Sequence, residues 1–353
     1  MLPTVTDLRY IFSKSMRTLL FSLLIPLLAQ VVQTSDFYLR EEIPLPLGEV
    51  MEIGSIALMP EQKFAVATRR GDLWIVLRLT GSSDAAADWR GWAVRVTPDG
   101  KMIPTASGIR SPGDIGFNAS GDVFYTDNQG LWNGSSSLKW LKPGSFQGNP
   151  TGNKFHQLAK LPAPPAVTDK SRVLAERTKF PDYIPPAVVL PHAKIGQSPT
   201  GIACDQSGGK FGPWKNQLYI GEQTHSQVQR VCQERVKWTG KVPFEIQTMT
   251  ANKDGFSLNF TESVDPATAG NPASYAMKAW TYILQSDYGS PEVDPATPKI
   301  TAATVSADRK SVRLKIDGLV RGHVHHLSSK GVTSANGQAL WHPDAYYTLN
   351  EIP

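Results

Sequence analysis

The stretch SPGDIGFNASGDVFYTDNQG, residues 111–130, holds two short apolar runs separated by a polar turn. The pattern recurs at residues 198–231, where SPTGIACDQSG and NQLYIGEQTHSQVQRV flank a short insert, and GSIALMPEQKFAVATRRGDLWIV at residues 54–76 has the same order. Repeats of short antiparallel strands are typical of β-propeller blades, because one small sheet cannot bury its faces alone. Sandwiches and barrels use similar strands and turns, but the repetition favours the propeller.

From Asp36 onward, the apolar runs are short and end at Gly, Pro, Asn or Asp, which indicates strands and turns. The predicted strands are SIALM, KFAVAT, DLWIVLRL, WAVRVTP, DIGFN, DVFYTD, SLKWLKP, GIACD, QLYIGEQ and VQRVC. We therefore predict an all-β fold in which residues 36–235 form the propeller-like repeats.

The residue pattern changes after residue 235. The predicted strands there alternate apolar and polar residues, as in FSLNF, KITAATVS, SVRLKID and AYYTLN. Alternation of this kind indicates sheets with one buried face. We predict that residues 236–353 form a two-sheet β-sandwich.

Two insertions interrupt the repeats, at residues 79–92 and at the Pro-rich residues 161–192. Within the second, DKSRVLAERTKF (residues 169–180) is predicted to form a brief helix. Long loops of this kind serve as binding elements or lids, or are simple surface excursions, and the sequence leaves both open.

Composition and charge exclude several classes of protein. A formal charge of +5 over 353 residues is mild, and the Lys and Arg residues are scattered, which argues against nucleic-acid binding.

At the N-terminus, Arg9, Lys14 and Arg17 precede an apolar run at residues 19–32 that is short for a bilayer span. We predict a signal peptide at residues 1–35, export to the periplasm, the cell surface or the medium, and no stable membrane span after cleavage; retention of the segment as a membrane anchor is the alternative.

Cys204 and Cys232 are the two cysteines of the chain, which excludes a disulfide-rich scaffold. Both lie in predicted strands of one repeat unit, so either a disulfide bond or two separate buried thiols is compatible with the sequence.

RRGDLWIV, DWRGWAVRVTPDGK, LKPGSFQG and the two repeats quoted above resemble secreted bacterial propeller proteins of the soluble glucose/sorbosone dehydrogenase superfamily. The region from VKWTGKVPFEIQTM to DAYYTLNEIP resembles the Ig-like sandwich that follows the propeller in that group. The resemblance covers residues 36–353. It implies an enzyme that oxidises a sugar or other alcohol with pyrroloquinoline quinone (PQQ) and calcium, and a cytochrome-type electron acceptor.

The chain departs from this family in the number of repeats. The family implies six blades, whereas about three blade-like units are visible here, and the joints at GDLWIVLRLTGSS and VQRVCQERVKWTG are abrupt. A propeller needs at least four blades to close. We therefore expect an incomplete β-propeller followed by an Ig-like β-sandwich, with an incomplete active site.

In the PQQ enzymes a histidine acts as general base, and no histidine of this chain matches it by motif. His225, in the loop EQTHSQ, is the candidate base, because His156 and His192 lie in other contexts. Carboxylates and amides at matching loop positions of successive blades would converge on a common axis, where oxygen ligands suit Ca²⁺. The candidate cofactor-binding residues are Asp127, Asn128, Gln129 and Glu222, and the candidate metal ligands are Asp122 and Asp127. The alternative is that Asp and Asn close turns by bonding their own backbone.

Two further groups have open interpretations. GHVHH, residues 322–326, places His323 and His325 on one face of a predicted strand, where they either share a metal with His342 or form an exposed edge-strand cluster. The tryptophans of WRGW, with Trp132 and Trp140, serve either sugar stacking or core packing.

Two hypotheses for the function remain after these observations. The chain is either an exported PQQ-type dehydrogenase or a non-catalytic carbohydrate-binding, protein-binding or structural protein that keeps blade sequence without the active site.

Overall fold

The computed structural model describes residues 38–42, 53–58, 64–68, 89–96, 101–224, 234–238 and 240–353. Residues 33–353 form one compact unit. Apart from short helices, the described chain consists of strands in several small antiparallel sheets, so the all-β prediction is confirmed. The described strands do not close into a propeller or a barrel, and the number of blades stays a prediction. The predicted signal peptide and the predicted strands at residues 72–79 and 228–232 lie outside the described residues.

The first strands form two-stranded sheets. Strand bounds are β1 Tyr38–Glu42, β2 Ile53–Leu58, β3 Phe64–Thr68, β4 Trp92–Val96 and β5 Met102–Ser107. β2 pairs with β3 and β4 with β5, both antiparallel. Trp92 of β4 is fully buried against Phe155, which places this tryptophan of WRGW in the core rather than on a sugar-stacking surface.

The repeat at residues 111–130 forms the first half of a four-stranded meander. Its strands are β6 Pro112–Phe117, β7 Val123–Asp127, β8 Ser136–Trp140 and, after an insertion, β10 Val188–Leu190. The order of strands across the sheet is β10-β8-β7-β6. The four strands are therefore arranged across the sheet in the order in which they occur along the chain. At the β6–β7 turn, Gly121 adopts a φ of 86°, which favours glycine, and the Asn118 side chain accepts the amides of Ser120 and Asp122.

The Pro-rich insertion contains the predicted helix. A 3₁₀ turn at Pro150–Phe155 and α1 His156–Ala159 precede the short strand β9 Ser171–Arg172 and α2 Val173–Lys179. α2 ends at Lys179, because Pro181 disfavours a helical conformation at Phe180, whose backbone is extended.

The second repeat forms the pair β11 Pro199–Cys204 and β12 Leu218–Glu222. β13 Glu234–Trp238 pairs with β1 of the N-terminal part across the predicted boundary at residue 235. Cys204 is half-buried and forms no disulfide with any described residue; Cys232 lies outside them.

Two four-stranded antiparallel sheets make up the C-terminal part. Element bounds are β14 Ile246–Asn252, β15 Gly255–Phe260, α3 Pro266–Ala269, a 3₁₀ turn Pro272–Ser274, β16 Ala276–Thr281, β17 Ile283–Leu284, β18 Val293–Ala296, β19 Lys299–Val305, β20 Ser311–Asp317, β21 His323–Ser328 and β22 Asp344–Leu349. The sheet orders are β14-β15-β20-β19 and β18-β16-β21-β22. Phe256, Leu314, Met277, Leu327 and Leu349, from both sheets, share one buried core.

The C-terminal part is tied to the Pro-rich insertion. β17 pairs with β9, through Ile283 opposite Arg172. The amide of Val189 in β10 donates to the hydroxyl of Thr348 in β22 at 2.8 Å. The insertion therefore connects two sheets.

Candidate functional site

Asp127, the first candidate ligand, lies at the end of β7 with its side chain fully buried. Its Oδ1 accepts the amide of Ser111 at 2.7 Å, and its Oδ2 accepts Nζ of Lys139 at 3.0 Å. The hydroxyl of Tyr125 lies 3.5 Å from the same Oδ2. Burial, and then the charge of Asp127, raise the pKa of Tyr125 well above its usual value, so this hydroxyl stays a donor. Both carboxylate oxygens of Asp127 are thus used inside the protein.

Lys139 is the cation of this cluster and is itself buried. Besides Asp127, its ammonium group donates to the carbonyl oxygen of Gln147 at 3.1 Å. A buried ion pair of this kind persists only where further hydrogen bonds satisfy the two charges. The sequence does not single out Lys139, because a lysine in a predicted strand carries no sign of which face it occupies.

Glu222, the candidate from the second repeat, occupies the matching place at the end of β12. Its Oε1 accepts the amides of Ser198 at 2.6 Å, Thr224 at 3.1 Å and Gln197 at 3.3 Å, and the side chain is buried. The carboxylate thus closes its own hairpin.

The two repeats make the same set of contacts. In each, the acidic residue pairs in register with the proline of Ser-Pro (Asp127 with Pro112, Glu222 with Pro199). In each, the carboxylate accepts the amide of the serine before that proline, an arrangement that we name the carboxylate clamp. The next residue, Asn128 or Gln223, donates its amide to the carbonyl of the same serine at 3.1 Å. The repetition in sequence is therefore a repetition of hairpin closure.

Asn128 and Gln129 follow the first clamp and contact neighbouring protein segments. The Asn128 carbonyl accepts from Asn133, and Nε2 of Gln129 donates to the Gly134 carbonyl at 3.1 Å. Oδ1 of Asn128 is buried without a hydrogen-bond partner.

The TDNQG loop was expected to face a central axis, and it docks instead on residues 285–289. The carbonyl oxygen of Gly130 accepts a hydrogen bond from the amide of Gly289 at 3.2 Å. The amide of Trp132 donates to the Gln285 carbonyl at 2.8 Å. Arg110 lies over the ring of Tyr288 and also bonds the Gln129 carbonyl.

The proposed pair of metal ligands is not brought together. Asp122 precedes β7 and is exposed, whereas Asp127 ends the same strand. A strand rises about 3.3 Å per residue, so these carboxylates belong to opposite ends and do not share one ion. The Asp122 carboxylate accepts a hydrogen bond from the side chain of Asn118 at 2.8 Å. Asp122 and Asp127 therefore do not form a pair of calcium ligands, binding of PQQ stays a prediction, and His225 lies outside the described residues.

The GHVHH histidines belong to the C-terminal core rather than to an exposed edge. β21 lies between β16 and β22, and both His323 and His325 are buried. His342 bonds Glu245 elsewhere. Within the described residues, no group of three or more His, Cys, Asp and Glu side chains is placed to hold a metal ion.

His156 is also an internal residue. Its Nε2 lies 3.0 Å from the Ser107 hydroxyl, its ring packs on Trp92, and burial lowers its pKa. This arrangement suits a neutral histidine that supports β4 and β5.

A cavity of about 150 Å³ lies between the meander and the C-terminal part. β8, α2, β17 and β21 contribute to its wall, with Lys139, Gln147, Val173, Leu284 and His323 among the lining residues. Sequence analysis missed this feature, because its walls come from segments up to about 200 residues apart in the chain (residues 132–350).

Comparisons with known proteins assign no family. No family profile and no curated protein sequence match the chain. Among solved structures, the S-layer protein rSbsC(31-844) matches with a TM-score of 0.25 and 19% identity, over 31% of this chain and 14% of that chain. The N-terminal part of the bacterial S-layer protein SbsC matches with a TM-score of 0.25 and 18% identity, over 31% of this chain and 24% of that one. The chain thus spans less than a quarter of the length of these matches, and the likeness is too low to carry an argument.

Among the described residues, every helix is too short or too polar to cross a bilayer.

Proposed function

We propose that the chain is an exported protein of the PQQ-type sugar/alcohol dehydrogenase family that acts as a non-catalytic binding protein. In this proposal residues 36–235 are about three blade-like units of a propeller and residues 236–353 an Ig-like sandwich. The sequence motifs support the family, and the two clamps support the loss of catalysis.

The packing of the two repeats supports the propeller origin. β6 and β11, the first strands of the two units, lie side by side: the Thr126 hydroxyl donates to the Thr200 carbonyl at 2.9 Å, and the Ile202 amide donates to Asp114 at 3.2 Å. A Cβ added at Gly113 would lie 2.3 Å from the Pro199 carbonyl oxygen, so glycine permits this close approach. Stacked units of this kind are the building principle of a propeller.

The single observation that carries the proposal is the use of Asp127 and Glu222 as carboxylate clamps. A calcium ion requires several unengaged oxygen ligands. Here Asp127 is bonded to Ser111 and Lys139, and Glu222 accepts three backbone amides through Oε1. Releasing Asp127 would leave the buried donors of Ser111 and Lys139 unsatisfied, which costs about 1–3 kcal/mol for each group.

The direct test is a dehydrogenase assay on the full chain after incubation with PQQ and Ca²⁺. Glucose serves as the electron donor and a dye as the acceptor, with an established PQQ-dependent glucose dehydrogenase reconstituted in parallel. We expect dye reduction no faster than in the protein-free blank. Sustained reduction that a calcium chelator abolishes would overturn the proposal.

A further inference from the structure

The cavity between the meander and the C-terminal part is lined by apolar residues and by the buried polar residues Lys139 and Gln147. Val173, Leu174, Val189 and Leu284, from α2, β10 and β17, form part of the wall. Its volume, about 150 Å³, is that of cavities that accept a benzene-sized guest. The space therefore suits a single six-membered ring.

Gln147 supplies an unused acceptor at this cavity. Its side chain is 1% exposed, and its Nε2 donates to the Trp140 carbonyl at 3.0 Å and to the Ser145 hydroxyl at 2.8 Å. With the amide nitrogen fixed in this way, Oε1 is buried and has no hydrogen-bond partner. An unsatisfied buried acceptor is costly, and a ligand that brings a hydroxyl donor would remove this cost.

Lys139, a donor, is also among the lining residues. Two of its three N–H groups bond Asp127 and the carbonyl of Gln147. The described residues provide no acceptor for the third N–H group. One hydroxyl group, which both donates and accepts, would therefore satisfy the amide oxygen of Gln147 and the ammonium of Lys139 together.

The charges that line the cavity are already paired. Lys139 pairs with Asp127, Arg172 with Asp294, and Arg321 with Glu351. A charged ligand would lose its hydration without gaining an unpaired counter-ion, so the lining favours a neutral one.

We propose that this cavity binds a small, neutral ring alcohol, with the ring against the apolar wall and the hydroxyl group between Gln147 and Lys139. The proposal goes beyond the proposed function, because it uses neither PQQ nor calcium, and a failure of either leaves the other standing.

Phenol and benzene are the probes, titrated into the full chain at neutral pH with ligand-detected NMR as the readout. Val173→Phe fills the cavity from the wall, and Ala175→Phe adds the same ring to an exposed position of the same helix as its matched control. Gln147→Met removes the acceptor while keeping a side chain of similar length. A thermal melt of each variant checks that it is folded.

We expect wild type and Ala175→Phe to bind phenol, and Val173→Phe to lose binding of both probes. Gln147→Met should weaken the binding of phenol by about tenfold and leave the binding of benzene unchanged. If Gln147→Met fails to fold, the Val173→Phe and Ala175→Phe pair still decides. Absence of phenol binding to the wild type, or binding that Val173→Phe does not alter, would overturn the proposal.

Discussion

Lys139 and Asp127 are charged side chains with almost no exposure, and each depends on the other. The cost of removing one partner from such a pair exceeds the net value of the pair, because the remaining charge stays buried without compensation. Both carboxylate oxygens of Asp127 are bonded to groups of the protein, which is typical of a structural carboxylate rather than a metal ligand.

Replacing the lysine alone should therefore be severe. We expect Lys139→Met to lower the free energy of unfolding by about 3–5 kcal/mol. The double variant Lys139→Met with Asp127→Asn should recover part of this loss, since no bare charge is left. Urea denaturation measures both, and equal losses in the single and double variants would contradict a charge-based role.

His325 shows how one buried residue makes stability depend on pH. It is fully buried beside Phe256, its Nε2 accepts the Val320 amide, and burial lowers its pKa to about 4. The folded pKa lies below the unfolded value of 6.5, so only the unfolded chain takes up the proton in this interval. The stability that His325 provides is therefore complete above about pH 6.5 and is lost as the pH falls toward 4.

This effect has a measurable size. Between pH 7 and pH 4 the wild type should lose roughly 3 kcal/mol through His325, at about 1.4 kcal/mol for each unit of pKa difference. We expect His325→Gln to have a flatter stability profile over this range. Denaturant unfolding at a series of pH values measures this, and parallel profiles for wild type and His325→Gln would refute it.

At the scale of elements, the hairpin closed by a clamp is the repeated unit. In both units an Asn or Asp begins the turn, accepts the amide two residues on, and is followed by a glycine with positive φ (Gly121 or Gly208). The acidic residue then closes the far end of the hairpin. One unit therefore needs Ser-Pro, an Asx turn and an acid in the same order, which accounts for the recurrence in sequence.

The second clamp can be opened without touching the first. We expect Glu222→Ala to cost about 1 kcal/mol, because it leaves half-buried backbone amides such as that of Ser198 without their acceptor. Asp122→Ala, an exposed turn position, should change stability by less than about 0.5 kcal/mol. Denaturant unfolding compares the stability of the two variants. An unchanged free energy of unfolding in Glu222→Ala would show that the carboxylate does not hold the hairpin.

Many of the strands and the helix α2 could be predicted from the sequence. The strands around GIACD, SVRLKID and AYYTLN and the helix at α2 are confirmed, because turn residues and apolar alternation are local signals. β5, β10 and β18 were missed, since Pro104 interrupts the first, the second has three residues and Pro295 lies within the third. The hydrogen bond of Asp127 to the amide of Ser111 could not be predicted from the sequence either. Its partner Ser111 lies 16 residues earlier, and only the fold shows that the side chain turns back to it.

At the scale of the whole molecule, the Pro-rich insertion joins the meander to the C-terminal part. Trp280, Tyr282 and Val324 form a buried apolar cluster on the second C-terminal sheet, and Val189 of the insertion packs against it. The Asn350 side chain also donates to the Pro186 carbonyl at 2.9 Å. The sequence could not predict this docking, because the contacts join residues more than 150 positions apart.

The docking has a consequence for the isolated C-terminal segment. Residues 236–353 expressed alone should expose the cluster around Trp280 and unfold at a lower temperature than the full chain, because apolar surface returns to water. Calorimetry of both proteins measures the difference, with tryptophan fluorescence as a report on exposure. An identical midpoint would mean that the insertion contributes no stability to these sheets.

The central claim is that the carboxylates expected to hold PQQ and calcium are occupied by the protein's own backbone and by Lys139. A thermal melt of the full chain with and without PQQ plus Ca²⁺ tests this most directly. A ligand at a hundred times its dissociation constant would add about 2.7 kcal/mol of stability, which moves the midpoint by a few degrees. We predict no shift; a cooperative transition that moves upward only with both additions would contradict the account and restore the dehydrogenase hypothesis.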